Sequence, residues 1–197
     1  LIANRRLAVD AGTGDGALLE VLAPLFERVI AVDRSSAQLA LAKERAKKRG
    51  FDNITFIVSE IEGRETHDAV RAELASASKS KDVGADVVFA SRVLHHAVAP
   101  ARALRSLVEL ARPPKGELVG GAVFVLDYAL HEDLDLRDSQ ADLWLGFAED
   151  DLSRLAREAG LEAVTTRLLP PTFRGDGPDR HLDWIALSGT RGHRVVT

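Results

Sequence analysis

The run Leu7-Ala-Val-Asp-Ala-Gly-Thr-Gly-Asp-Gly16, followed after an amphipathic stretch by Val29-Ile-Ala-Val-Asp33, restricts the possible folds more than any other part of this sequence. An apolar strand that breaks into closely spaced glycines permits positive φ at the break and lets a ligand approach the backbone. The helix that follows offers unpaired N–H groups in its first turn. A second strand then ends on Asp33, 17 residues beyond Gly16, where a carboxylate can accept two hydrogen bonds from ribose hydroxyls. A glycine turn alone also suits a tight strand–helix connection. The turn together with Asp33 predicts a nucleoside-cofactor site.

The spacing Gly12-x-Gly14-x-Gly16 differs from the G-x-G-x-x-G of dinucleotide folds. Asp10 is expected at the entrance to the turn and Asp15 inside it. A like charge about 4 Å away costs roughly 1 to 4 kcal/mol depending on screening, so two acids there oppose a diphosphate. They suit the ammonium and sulfonium groups of S-adenosylmethionine, whose carboxylate still reaches the helix N-terminus.

The chain of 197 residues matches one domain with one sizeable core. No apolar run approaches the ~20 residues of a membrane span, and no secretory pattern opens the sequence. The absence of cysteine excludes disulfides and thiolate chemistry and fits a cytoplasmic protein. A net charge of −4 argues against a nucleic-acid surface, which needs a basic face. The one basic cluster, Lys43 to Arg49, falls at a predicted helix C-terminus, where cations complement the dipole. No methionine is present, even at position 1, so upstream residues are expected to be missing or cleaved.

Strand and helix patterns alternate, which predicts a parallel sheet covered on both faces. Strands are expected at 5–9, 28–32, 53–58, 85–90 and 122–127, with a closing pair at 162–168 and 182–187. Leu18, Val21, Leu22 and Leu25 form the apolar stripe of the first predicted helix. Ser35 or Ser36 caps a second helix, which Gly50 ends. Residues 62 to about 81 read as an exposed helix with a mobile end, and 100–111 as a helix ahead of the turn Pro113-Pro-Lys-Gly116. Residues 131–142 read as an acidic loop or helix, and Leu152, Leu155, Ala156 and Ala159 as another stripe, closed by Gly160. A Gly/Pro-rich loop covers 170–179.

These residues resemble a class I S-adenosylmethionine-dependent methyltransferase over nearly the whole chain. Asp10-Ala-Gly-Thr-Gly-Asp-Gly16 matches the cofactor loop, Asp33 the ribose acid, and Ala85-Asp-Val-Val-Phe-Ala-Ser-Arg-Val-Leu-His-His96 the fourth strand and its loop. Val125-Leu-Asp-Tyr128, His131-Glu-Asp133, Asp142-Leu-Trp-Leu-Gly-Phe147 and Ala159-Gly-Leu161 are similar to methyltransferase domains fused behind ArsR-type regulators, with quinone C-methyltransferases related. The resemblance implies a Rossmann-like three-layer α/β sandwich with a seven-stranded, mostly parallel sheet of order 3-2-1-4-5-7-6. It also implies S-adenosylmethionine as cofactor, held by Asp10, Ala11, Gly12, Thr13, Gly14, Asp33, Arg34, Ser59, Glu60, Ser91 and Arg92.

Two segments depart from the family pattern. Val58-Ser-Glu60 stands where Gly-Asp usually borders the adenine, so Glu60 fills that role or the backbone alone does. Arg112-Pro-Pro-Lys-Gly-Glu-Leu-Val-Gly-Gly121 replaces the usual Arg-Pro-Gly-Gly turn. Arsenic-methylating relatives use cysteines, so that chemistry is excluded.

The candidate catalytic residues are His95, His96 and Tyr128. One histidine is expected to pack inward and its neighbour to cap the next helix, unless one faces the acceptor. Asp127, Tyr128 and His131 are expected near the same pocket. His131-Glu-Asp133 reads as a solvated loop, so no metal site is expected. Trp144 and Phe147 read as core or lid packing, and Arg180 and His181 receive no role. The expected reaction is methyl transfer to O, N or C of a small molecule. The alternative is a non-catalytic sensor of S-adenosylmethionine or a metabolite within an ArsR-type regulator. On either reading this domain is expected to touch neither nucleic acid nor membrane; a missing winged helix-turn-helix would bind DNA, and an oligomer is compatible with the sequence.

Overall fold

The computed structural model describes residues 5–61, 64–77, 84–135, 137, 142–174, 177 and 179–193. Its strands are β1 (Leu7–Ala11), β2 (Arg28–Asp33), β3 (Ile54–Val58), β4 (Val87–Ser91), β5 (Ala122–Tyr128), β6 (Leu161–Leu168) and β7 (Trp184–Arg191). They form one seven-stranded sheet in the order β3-β2-β1-β4-β5-β7-β6. The first five run parallel to one another, while β7 runs antiparallel to both β5 and β6. Helices α1 (Leu19–Leu25), α2 (Ser36–Arg49), α3 (Arg64–Ala77), α4 (Pro100–Leu110) and α5 (Glu149–Glu158) complete the architecture.

The period-two alternation of the strands builds two separate cores. Leu7, Val9 and Ala11 of β1 join Ile30, Val32, Val88 and Val123 on one face, packed with Val70 of α3, Leu104 of α4 and Leu152 of α5. Ala8, Val29, Ala31 and Val87 point to the other, where Leu19 and Leu22 of α1 and Ala42 of α2 cover them. Helices on both faces make the three layers that the resemblance implies.

Several local expectations change. β1 extends to Ala11, so Asp10 lies inside the strand, paired with Ala31 and Phe89, and not at the entrance to the turn. In α1 the buried residues are Leu19, Leu22 and Ala23, continued by Phe26 just past the helix end, whereas Val21 and Leu25 are exposed. The helix starts only at Leu19, because Gly16, at φ +81°, lies so close to α2 that an added Cβ would meet that of Ala42 at 2.9 Å. The seating of the turn therefore rotates the stripe by one residue. α3 is not simply exposed: Val70 and Leu74 are fully buried. The end expected to be mobile, 78–81, lies outside the described residues, as do 136 and 138–141 of the acidic loop and 175, 176 and 178 of the Gly/Pro-rich loop.

The expected caps of α2 are present. Ser35 Oγ accepts from the Gln38 N–H at 3.2 Å, and Gly50 closes the helix at φ +73°. β7 begins two residues later than expected and runs to Arg191, because all of β5 needs an antiparallel partner, from Tyr128 opposite Trp184 to Ala122 opposite Thr190.

Candidate functional site

The carboxyl ends of β1, β2, β3 and β4 converge on one cavity of about 780 Å³, within the usual range for small-molecule sites. Asp10, Gly12, Thr13 and Gly14 line it from β1 and its turn, and Asp33 and Arg34 from the end of β2. Ser59 and Glu60 follow β3, and Ser91 and Arg92 close the opposite side. Of the eleven cofactor candidates only Ala11 is absent from the lining, being buried at the end of β1. Sequence reasoning did not single out Leu41, Val93 and Val98, which add apolar walls; Leu41 and Val98 carry no signal in the sequence beyond ordinary helix or loop positions.

Asp33 organises the cofactor side. One of its oxygens accepts from the Gly14 N–H at 2.8 Å and the other from the Ser35 N–H at 2.8 Å. The carboxylate thus ties the glycine turn to the end of β2, and each oxygen keeps a further lone pair for a ligand. Gly12 sits at φ +79°, and a Cβ there would lie 2.3 Å from Val93 Cγ2. Gly14, at φ +54°, has nothing within 4 Å of such a Cβ.

The two acids of the turn behave differently from expectation. Asp15 is paired with Arg45 of α2, whose Nε also donates to the Asp15 carbonyl at 3.1 Å. Its charge is therefore largely answered within the protein, and the argument against a diphosphate passes to Asp10 and Asp33. Asp10 is 1% exposed and accepts from Thr13 Oγ1 at 2.6 Å. Burial, with a smaller contribution from the charge of Asp33, raises its pKa to about 6 against an opposing effect of the Thr13 hydrogen bond.

Stability should follow this shift. Below the ordinary aspartate value of 3.8 the group is protonated in folded and unfolded chains alike. Between about 4 and 6 the unfolded chain loses the proton first, so stability falls as pH rises. Above 6 the full penalty applies, about 3 kcal/mol for a shift of this size. The melting temperature of Asp10→Asn relative to wild type should rise between pH 4 and 6.5 and then level off; a difference independent of pH would refute the assignment.

Of the three candidate catalytic residues, only His96 lines the cavity. His95 is 2% exposed, and its Nδ1 lies 2.6 Å from Asp127 Oδ1. Tyr128 is buried and donates its hydroxyl to Asp179 at 2.8 Å. Burial first, and then this hydrogen bond, push its pKa well above the ordinary phenol value, which leaves it no role as a base near neutral pH. Neither histidine caps α4, whose N-cap is Ala99 without a side-chain bond. Asp127 and His131 also lie outside the cavity lining. Phe147 packs into the core, and Trp144 donates its indole N–H to the Ala97 carbonyl at 2.9 Å. Arg92, at φ +55°, pairs with Asp179 at 3.0 Å and lies over Trp184. His181 bonds Asp133 at the surface.

Residues 6–143 match the model of a methyltransferase domain family. This chain therefore belongs to the methyltransferase domain family. No curated protein matches it. Among solved structures, it superposes on a SAM-dependent methyltransferase from Aquifex aeolicus with TM-score 0.64 at 18% identity, covering 96% of this chain and 84% of that one. N-methyltransferase NodS from Bradyrhizobium japonicum, in complex with S-adenosylhomocysteine, gives 0.65 at 17%, covering 96% and 80%. Phosphoethanolamine N-methyltransferase 2 from Haemonchus contortus, in complex with S-adenosylmethionine, gives 0.68 at 16%, covering 96% of this chain and 49% of that chain. Among the described residues no helix is long and apolar enough to cross a membrane.

Proposed function

We propose that this chain binds S-adenosylmethionine and transfers its methyl group to a small molecule. The observation that carries this reading is the continuity of the cavity from Asp33 past Gly12 and Gly14 to His96, which gives a nucleoside and a second molecule adjoining places. The residues fit the cofactor. Asp33 is the ribose acceptor, Ser59 and Glu60 border the adenine, and the buried acid Asp10 complements the cationic methionine end. Thr13 lines the same end, Arg34 follows Asp33 on the ribose side, and Ser91 and Arg92 flank the passage toward the acceptor.

The cofactor supplies an electrophilic methyl on a sulfonium, so the protein's part is mainly orientation and exclusion of water. Val93, Ala97 and Val98 supply apolar wall beside His96, and His96 is the polar side chain that meets the acceptor. The negative net charge and the absence of a basic groove in the sequence favour a small acceptor over nucleic acid. The same reading places the protein in the cytoplasm.

The resemblance to domains fused behind ArsR-type regulators rests on the segments around Asp127, His131 and Asp142–Phe147. It supports a longer parent protein with a winged helix-turn-helix. The intact mass of the source polypeptide tests this: a product of about 22 to 24 kDa leaves no room for a further small domain.

Tritiated methyl transfer into cell metabolites, with Gly14→Arg as control, tests the activity. The fold has space for a side chain at Gly14, although φ +54° places it in the left-handed region at a cost of roughly 1 to 2 kcal/mol, so the control fills the cavity and circular dichroism checks that it is folded. A labelled product in wild type alone is expected. Tight S-adenosylhomocysteine binding without any labelled product would favour the sensor. His96→Ala should lower kcat/KM for the acceptor about tenfold, the worth of one lost hydrogen bond, with S-adenosylhomocysteine affinity unchanged.

A further inference from the structure

Behind the cavity wall, His95, His96 and Asp142 bring one donor atom each within 4.8 Å of one another. Asp142 Oδ1 lies 3.6 Å from His95 Nε2 and 3.3 Å from His96 Nδ1. The Asp142 side chain is 1% exposed, and neither of its oxygens has a hydrogen-bond partner among the described residues. A buried carboxylate left without hydrogen bonds is a costly arrangement that needs a counter-charge.

The surroundings build this cluster with care. Asp127 accepts from the Leu94 N–H on one oxygen at 2.9 Å and from the Tyr128 N–H on the other at 2.8 Å. His95 Nδ1, at 2.6 Å from that carboxylate, therefore serves as a further donor to it. In the neutral ring this leaves a lone pair on Nε2, the nitrogen that faces Asp142. Two acceptors then face each other, an unfavourable arrangement that a metal cation between them relieves. The segment bearing Asp142 is pinned in place, since the Leu143 and Trp144 N–H groups both donate to the His95 carbonyl, at 2.9 and 3.0 Å.

We propose that His95, His96 and Asp142 bind one divalent transition-metal ion of the zinc type, with Asp127 orienting His95 from behind. Tetrahedral ligation at about 2.0 to 2.2 Å sets donor atoms about 3.3 to 3.6 Å apart, close to the two separations seen here. The Asp127–His95 pair is the carboxylate–histidine arrangement that fixes a ligating ring and raises its basicity. Two imidazoles and one carboxylate favour zinc or a neighbouring first-row ion over magnesium or calcium, which prefer oxygen donors. Because His96 also lines the cavity, the ion would sit one side chain from the acceptor space. Any remaining coordination position would go to water.

The site does not depend on the proposed methyl transfer, and its test needs no S-adenosylmethionine. The full chain, stripped with a chelator, is titrated with zinc chloride by calorimetry, and the visible spectrum is recorded after loading with cobalt(II). One equivalent of zinc and a tetrahedral cobalt spectrum are expected. Asp142→Asn should weaken zinc binding at least about 100-fold, and Asp127→Asn by about 10- to 100-fold. His181→Ala, at the exposed His181–Asp133 pair, should leave it unchanged. Circular dichroism checks that each variant is folded, and His96→Gln replaces Asp142→Asn if the latter is not. Absence of zinc uptake by wild type, or uptake that survives both Asp142→Asn and His96→Gln, overturns the proposal and leaves a histidinium–carboxylate network in its place.

Discussion

Asp33→Ala is expected to abolish practical S-adenosylhomocysteine binding, a loss of about 10²- to 10⁴-fold. Two charge-assisted hydrogen bonds to ribose, each worth about 1.5 to 3 kcal/mol, account for that range. The structure adds a second effect. Asp33 also holds the Gly14 and Ser35 N–H groups, so its removal releases the turn that faces the ligand and weakens the start of α2. Asp33→Asn separates the two effects: its amide oxygen can keep one of these backbone bonds while the charge is lost. Calorimetry with S-adenosylhomocysteine, alongside thermal denaturation, reads both. Unchanged affinity in Asp33→Ala, or tighter binding of NAD than of S-adenosylhomocysteine, would refute the cofactor assignment.

The other large effect is expected at Gly12. An added methyl at this position would stand 2.3 Å from Val93 Cγ2 on a backbone at φ +79°. Overpacking of this kind costs typically 1 to 3 kcal/mol, and the left-handed conformation adds roughly 1 kcal/mol or more for a side chain. Gly12→Ala should therefore lower stability by about 2 to 4 kcal/mol and displace the wall on which the cofactor and acceptor spaces meet. Val93→Ala in the same chain should recover the steric part and leave the conformational part. Denaturant unfolding of the two single variants and the double variant measures this directly. A double variant no more stable than Gly12→Ala would show that the strain lies in the backbone and not in the contact with Val93.

Much of the site was legible in the sequence because its signals are local. A turn that needs positive φ announces itself through Gly12, Gly14 and Gly16, and a strand tip through an acid after four apolar residues, as in Val29-Ile-Ala-Val-Asp33. Parallel strands buried on both faces read as continuous apolar runs, so their number and alternation with helices could be read along the chain. The order of the sheet came from family resemblance, because pairing between β7 and β5 is a contact between distant segments and leaves no local mark.

Tertiary structure alone decided the rest, and in each case through packing between elements. The stripe of α1 was misread by one residue because the contact of Gly16 with Ala42 sets where the helix begins. Asp15 carries the same charge in sequence and structure, but Arg45, thirty residues away in the chain, turns it into one half of an ion pair. His95 and His96 are adjacent and chemically alike, yet the turn at Leu94–His96 sends one toward Asp127 and the other to the cavity wall. Asp142 lay in a recognisable segment, and only the docking of that segment on the His95 carbonyl brings its carboxylate to the two imidazoles. A sequence fixes residue types and local backbone preference. Burial, charge compensation and convergence on a shared centre are properties of distances between remote segments, and these exist only in the folded chain.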